Sequence, residues 1–258
     1  MLLTIDIGNT STTIGLFDGE KLAETWSIAT DARRSEDEIG ILLINLLRLH
    51  NYEGKITDIS ICSVVVPLTE RFKNALVKYL GIKPYVVSNK TAKLLKFNVD
   101  FPEEVGPDRI VNAFAAYSLF KKTCIVVDFG TATSFDIVNG NGEFLGGVIC
   151  AGMKIQAESL KSFTSKLPLI KIESSKSAIG KNTIEAMLSG IVRGQAKMVE
   201  GLLADCEKEL GEKPVIIATG GYAEIVSTYM EKKFDLISPY LTLDGLKLIY
   251  DSHVSVGA

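Results

Sequence analysis

Histidine is almost absent from this chain, with only His50 and His253 among 258 residues. So few and so far apart, they disfavour a histidine triad or a His-rich zinc site, and proton transfer falls to carboxylates. Both are read as solvated residues near helix ends, where a histidine complements the helix dipole. Cysteine is sparse too. Cys62, Cys124, Cys150 and Cys206 form no C-x-x-C pair, and three have apolar or β-branched neighbours, so buried free thiols are expected in place of disulfides. No apolar stretch is long enough to span a bilayer, and no basic-then-apolar leader precedes Asp6. The expectation is a cytoplasmic protein without a membrane partner. Basic excess is missing as well, and a net charge of −3 argues against a nucleic-acid surface. Linkers and low-complexity segments are absent. What remains, 47% hydrophobic and 23% charged, is ordinary for a globular protein of two modest domains.

Against that plain background one pattern occurs twice. An apolar run ends in aspartate, then glycine, then small hydroxyl residues: Leu2 to Asp6, followed by Ile7-Gly8-Asn9-Thr10, and Cys124 to Asp128, followed by Phe129-Gly130-Thr131-Ala132-Thr133. Each run reads as a buried strand, and each glycine lets backbone N–H groups approach an anion with no Cβ in the way. The aspartate at the strand end can hold a cation against that anion. A second strand follows each turn, Thr12 to Phe17 and Ser134 to Val138, and meets a hairpin signal at Asp18-Gly19 and Asn139-Gly140. One such turn could serve backbone geometry alone. Two in the same strand–turn–strand setting resemble the actin, sugar-kinase and Hsp70 superfamily, where they grip the two ends of a triphosphate.

Between the repeats, helix and strand alternate. Ser35 to Glu38 is a capping box opening a helix with Ile39, Leu42, Leu43, Leu46 and Leu47 on one face. Ile59 to Val66 reads as a buried strand ended by Pro67, Thr69 to Leu80 as a helix and Pro84 to Val87 as a strand, which fits a mixed sheet with helices on its faces. The second half repeats the plan with a larger helical insertion. Asn182 to Leu210 has helical spacing with interior Gly190, Gly194 and Gly201, each costing about 1 kcal/mol, so a kink, a close helix contact or a dimer face is expected there. Val215 to Ala218 then enters Thr219-Gly220-Gly221, a strand-to-loop turn of the nucleotide-approaching type, and Leu241 to Tyr250 forms a closing helix.

A third constellation, Gly106-Pro107-Asp108-Arg109, opens a helix with Ile110, Val111, Phe114, Ala115 and Leu119 on its apolar face. Asp108 could be a helix cap. Equally, phosphoryl transfer needs an ionised carboxylate to accept a hydroxyl proton and a guanidinium for an oxyanion, and this adjacent pair offers both.

Taken in order, Asp6-x-Gly8-Asn9-Thr10, Gly106-Pro107-Asp108-Arg109, Asp128 to Thr133, Gly146-Gly147, Gly180-Lys181-Asn182-Thr183 and Thr219-Gly220-Gly221 resemble the type III pantothenate kinases over nearly the whole chain. The resemblance implies an α/β protein of two similar actin-like (ribonuclease H-like) domains, each a mixed sheet flanked by helices, with the active site in the cleft between them. The expected division is 1–117 and 118–258, the second part carrying the helical insertion. The implied activity is transfer of the ATP γ-phosphate to pantothenate, in a homodimer.

Carried over by position, the resemblance puts Asp6, Gly8, Asn9 and Thr10 at the ATP phosphates, with Asp6 also toward their Mg²⁺. It makes Asp108 the proton acceptor and lines the pantothenate pocket with Gly106, Pro107, Arg109 and Val99. Some members carry a tyrosine seven residues before Gly106, where this chain has Val99. It gives Asp128 to an activating monovalent cation, K⁺ or NH₄⁺, and Gly130, Thr131, Ala132 and Thr133 to the nucleotide. Thr183 is implied to reach pantothenate from the other subunit. Other readings are an Hsp70-like or actin-like ATPase, for which the chain is short and the Asp108-Arg109 pair unneeded, and a tRNA-acting relative, whose His-x-x-x-His site two distant histidines cannot supply. A further alternative is a regulatory relative serving as a transcription accessory factor. Intact Asp6, Asp108 and Asp128 favour the kinase.

Overall fold

The structure, a computed structural model, describes residues 1–88 and 95–257, with the side chains of residues 256 and 257 left aside. It divides into two compact units, one formed by Met1–Ser118 with the C-terminal stretch from Leu241, the other by Leu119–Tyr240. The division expected from the sequence puts that stretch in the second half. It belongs instead to the first unit, because Leu243 is buried beside Leu2 and Phe17.

In the first unit, strands Leu2–Ile7 (β1), Ser11–Asp18 (β2) and Lys21–Ala29 (β3) form an antiparallel meander, and Asp58–Ser63 (β4) and Tyr85–Val86 (β5) add to it in parallel. The sheet order is β3-β2-β1-β4-β5. Helices Glu36–Leu49 (α1) and Val66–Leu80 (α2) cover one face, burying Leu3, Ile5, Ile7, Ile14, Leu16, Ile59 and Ile61. Each such aliphatic side chain contributes about 1.5–3 kcal/mol of transfer free energy. The capping box forms as expected, with Ser35 N donating to Glu38 Oε2 (2.7 Å) and Glu38 N to Ser35 Oγ (3.3 Å). Pro67 does not end a strand but sits in the first turn of α2, where its missing N–H has no partner to lose. A short strand Lys96–Phe97 (β6) and a 3₁₀ turn at Pro102–Glu104 lead to helix Pro107–Phe120 (α3).

The last helix, Leu241–Gly257 (α8), lies on the other face of this sheet and runs beyond the expected Tyr250. Ser60 Oγ donates to Leu246 O (3.2 Å), and Thr242 Oγ1 to Asn112 Oδ1 (2.8 Å) on α3. Gly245 permits the α8–α3 contact, since a Cβ there would fall 2.6 Å from Val111 Cγ1 and O.

The second unit repeats the topology. Cys124–Phe129 (β7), Ala132–Val138 (β8) and Glu143–Ala151 (β9) form an antiparallel meander, and Val215–Thr219 (β10) and Leu236–Ile237 (β11) extend it in parallel, in the order β11-β10-β7-β8-β9. Its helices are Met153–Phe163 (α4), Thr183–Leu188 (α5), Gly194–Leu210 (α6) and Ala223–Ser227 (α7), packed with Ile125, Val127 and Phe129 in one core. The helix expected over Asn182 to Leu210 is therefore two helices joined by a π turn at Ser189–Arg193. No helix among the described residues is long and apolar enough to cross a membrane, and Cys62 and Cys124 are buried free thiols while Cys150 and Cys206 are half-buried.

Candidate active site

Alternation along β1 decides where its side chains go. Leu3, Ile5 and Ile7 enter the core under α1 and α2, so Leu2, Thr4 and Asp6 face the α8 side. On β4, the register pairs Asp6 with Cys62, and Cys62 Sγ donates to Asp6 Oδ1 (3.2 Å). After β1 the chain turns through Gly8, Asn9 and Thr10. Gly8 N donates to Ser11 O (3.0 Å), and a Cβ on Gly8 would crowd the same carbonyl at 3.0 Å. Asn9 and Thr10 are exposed, and Thr30 N donates to Thr10 O (3.1 Å), tying the turn to the end of β3.

Asp108 comes to the same place from α3. Pro107 is the first helical residue and Gly106 O accepts from Ile110 N (3.2 Å), so Asp108 stands inside the first turn and is not the cap. Its Oδ1 accepts from Arg109 N (2.9 Å). A Cβ on Gly106 would lie 2.5 Å from that oxygen, so glycine is needed there for the carboxylate to fold back over the loop. Burial pushes the Asp108 carboxyl above the usual aspartate range, with the Arg109 N–H and guanidinium opposing the shift. Cys62 is fully buried and feels both carboxylates: burial first, then the charges of Asp6 and Asp108, hold its thiol well above its ordinary value. Asp6, Cys62 and Asp108 thus form one cluster. Cys62 carried no motif, and only the parallel β1–β4 register, invisible without the fold, shows its place. Val99 is half-buried between β6 and the 3₁₀ turn, and Arg109 is half-buried on α3.

In the second unit the equivalent turn is tighter. Gly130 N donates to Ala132 O (3.1 Å), and Thr131 bridges β7 to β8. The strand following the turn starts at Ala132, two residues before the expected Ser134. Two further glycines close around it. Gly220 has φ +87°, and a Cβ there would stand 2.5 Å from Asp128 Oδ1 and 2.7 Å from the Phe129 backbone. Gly152 approaches from the end of β9, where a Cβ would fall 2.2 Å from Thr131 O. Gly220 was visible in the sequence as part of the Thr219-Gly220-Gly221 turn. Gly152 was not, because a lone glycine before a helix reads as an ordinary cap. Thr133 is only 1% exposed, and its Oγ1 accepts from Gln195 Nε2 (2.8 Å), so its hydroxyl braces the turn from within the unit.

Thr183 stands apart from that turn. It opens α5, capped by Asn182 Oδ1 accepting from Glu185 N (2.9 Å), and is exposed. The preceding Gly180 presses on the helix, since a Cβ there would be 2.2 Å from Ala186 N. Thr183 lines a cavity of about 740 Å³ whose walls include Ile155, Gln156, Leu160, Ala186, Met187 and Gly190. The cavity is mostly apolar with a few polar groups, the composition of a small-molecule site.

Comparison with known proteins points one way. The model of the type III pantothenate kinase family matches residues 2–205. A type III pantothenate kinase of Dehalococcoides mccartyi strain CBDB1 is 43% identical over 96% of this chain and 95% of its own. Among solved structures, a protein of Campylobacter jejuni described as a Baf family transcriptional activator superposes with TM-score 0.60 at 18% identity, covering 98% of this chain and 99% of that one. A ROK hexokinase from Thermus thermophilus does so with TM-score 0.53 at 15% identity, covering 98% and 99%. At such identities the structures speak for the fold alone: two mixed sheets flanked by helices, as in actin-like sugar kinases.

Proposed function

The chain belongs to the type III pantothenate kinases, and on that premise we propose the part each site residue plays. The reaction is transfer of the ATP γ-phosphate to pantothenate, giving 4′-phosphopantothenate, the first step of coenzyme A synthesis. Such a transfer is won by positioning and electrostatics more than by covalent chemistry.

Asp108 is the general base that accepts the pantothenate hydroxyl proton. The observation that carries this is its setting: a carboxylate largely withdrawn from water, folded over Gly106 at a helix start, with a raised affinity for a proton. A base needs an affinity matched to its task, and burial moves an aspartate in that direction. Arg109, next on the helix, offers a guanidinium to the acceptor or to the oxyanion, and Gly106, Pro107 and Val99 line the acceptor pocket. The exposed turn Gly8-Asn9-Thr10 gives backbone N–H groups and small side chains to the ATP phosphates. Gly130, Thr131, Ala132 and Thr133 contact the nucleotide, Thr133 chiefly by supporting the turn.

Two ions fit the residues present. Asp6, half-buried at the mouth of its turn, suits Mg²⁺, which takes one or two carboxylates and otherwise phosphates and water. Asp128, beside which Gly130 and Gly220 leave room that a Cβ would fill, suits a monovalent cation. Mg²⁺ on the phosphates and K⁺ or NH₄⁺ near them would supply positive charge to the transferring phosphoryl group.

The protein acts as a homodimer in which Thr183 serves the partner's acceptor pocket. Support comes from exposed apolar side chains in the same unit: Ile149, Phe163, Leu169, Ile179 and Ile184, the last directly after Thr183, are all at least half-exposed. A Cβ on Gly190, Gly194 or Gly201 would meet nothing within 4 Å, so the cost of these glycines is not explained by packing within the chain. The reading includes no nucleic-acid or membrane partner and places the enzyme in the cytoplasm.

Phosphopantothenate formation from ATP, Mg²⁺ and pantothenate, measured in K⁺, NH₄⁺ and Na⁺ at matched ionic strength, tests the assignment. Fast turnover in K⁺ and NH₄⁺, slow turnover in Na⁺ and loss of that distinction in Asp128→Ala are expected. Equal rates in all three salts would remove the monovalent ion, and ATP consumption independent of pantothenate would remove the acceptor assignment.

A further inference from the structure

Gln195 interrupts an apolar stripe. Val192, Ala196, Val199 and Leu203 beside it are core residues, yet the glutamine amide is as deeply buried as they are, with 1% of its surface exposed. A buried amide left unsatisfied is costly, so its partners matter. It has two. Gln195 Nε2 donates to Thr133 Oγ1 (2.8 Å) and Gln195 Oε1 accepts from Gln156 Nε2 (2.7 Å). Gln156 Nε2 also donates to Ala151 O (2.9 Å), at the end of β9. That carbonyl can only accept, so Gln156 must present its amide nitrogen, Gln195 must offer its oxygen to it, and the amide of Gln195 is left to Thr133. The amide orientations are therefore fixed, with Gln156 donating both back to the Ala151 carbonyl and on to Gln195, and Gln195 donating in turn to Thr133 after Asp128.

The two ends of this chain of hydrogen bonds are unlike. Thr133 is the β8 residue paired with Phe129, directly behind Gly130 and Thr131. Gln156, half-buried on α4, is part of the wall of the 740 Å³ cavity that Thr183 also lines. The π turn at Ser189–Arg193 lies just before Gln195, and its one added residue sets the phase in which α6 presents that side chain to the sheet. Fully satisfied buried networks of this kind fix one arrangement of the elements they join.

We propose that Gln195 and Gln156 are positioning residues that hold the Gly130–Thr133 turn in its nucleotide-binding form and join it to the wall of the Thr183 cavity. This rests on the assignment of that turn to the nucleotide.

The test replaces each glutamine by methionine, which keeps length and volume while removing the amide. Gln195→Met and Gln156→Met should each raise the KM for ATP about three- to tenfold, the range one hydrogen bond is worth. Because both act through one chain, the double variant should be no worse than the more affected single one. Gln156 is only half-buried, so its variant reads the chain even where Gln195→Met folds poorly, and thermal unfolding monitors that separately. An unchanged KM for ATP in Gln156→Met, or independent effects that multiply in the double variant, would overturn the proposal. Thr131→Ala, in the same assay, separates the two levels. If it raises the KM for ATP while the glutamine variants do not, the relay alone fails; if it leaves that KM unchanged, the nucleotide assignment fails and the relay with it.

Discussion

At the scale of single residues the site is governed by carboxylates placed where glycine makes room. Asp108 folds over Gly106, and Asp128 lies against Gly220. A buried carboxylate is a burden on stability, and the sign is fixed by the direction of its shift. The folded protein binds the Asp108 proton more tightly than the unfolded chain does, so ionised Asp108 destabilises the fold at neutral pH. Below the ordinary aspartate range both states are protonated and the penalty vanishes. Asp108→Asn is therefore expected to melt above the wild type near pH 7.5, with the gap narrowing as pH falls through the raised pKa toward 4. A constant gap, or a less stable variant at neutral pH, would show that the carboxylate is better paired than its burial indicates. Asp108 stands out in the sequence because it lies in a run of special residues. Cys62 and Gln195 do not, because their significance lies wholly in which distant residue each one faces.

At the scale of elements, the strands before each glycine turn and the apolar faces of α1 and α3 were legible, and the break inside the long helix was not. The two buried runs ending in aspartate became β1 and β7, since their apolar residues and the glycines after them carry local information. The long helix from Asn182 broke into α5, a π turn and α6, because widening by one residue is decided by packing against the sheet and leaves no periodicity signal in a helix already holding glycines. Gly180 ahead of it has a role that the sequence only hinted at. Its missing side chain lets the loop lie against the backbone of α5, so Gly180→Ala must displace one of the two. Overpacking of this kind costs about 1–3 kcal/mol. The expected result is a lower Tm and a raised KM for pantothenate, with the KM for ATP less affected, because Thr183 opens the displaced helix. A raised KM for ATP with pantothenate unaffected would place Thr183 away from the acceptor.

For the whole molecule, the duplicated strand plan was legible because the repeat is local in each half, while the destination of the last helix was not. Nothing in residues 241–250 says which sheet they join; Leu243 and the contact of Gly245 with Val111 decide it. The proposed dimer is likewise a property of an assembly and not of one chain. If each acceptor pocket borrows Thr183 from its partner, a heterodimer of Asp108→Asn and Thr183→Ala subunits collects both defects in one site and leaves the other intact. Mixed and exchanged subunits should then exceed either parent variant in activity. Demonstrated exchange with no recovery would contradict the shared site. The central claim, that Asp108 takes the proton of the pantothenate hydroxyl, is tested most directly by the kcat of Asp108→Asn with phosphopantothenate followed as product. General-base assistance predicts a loss of about 10²–10⁴-fold in a protein that remains folded. Near-normal turnover in that folded variant would contradict it.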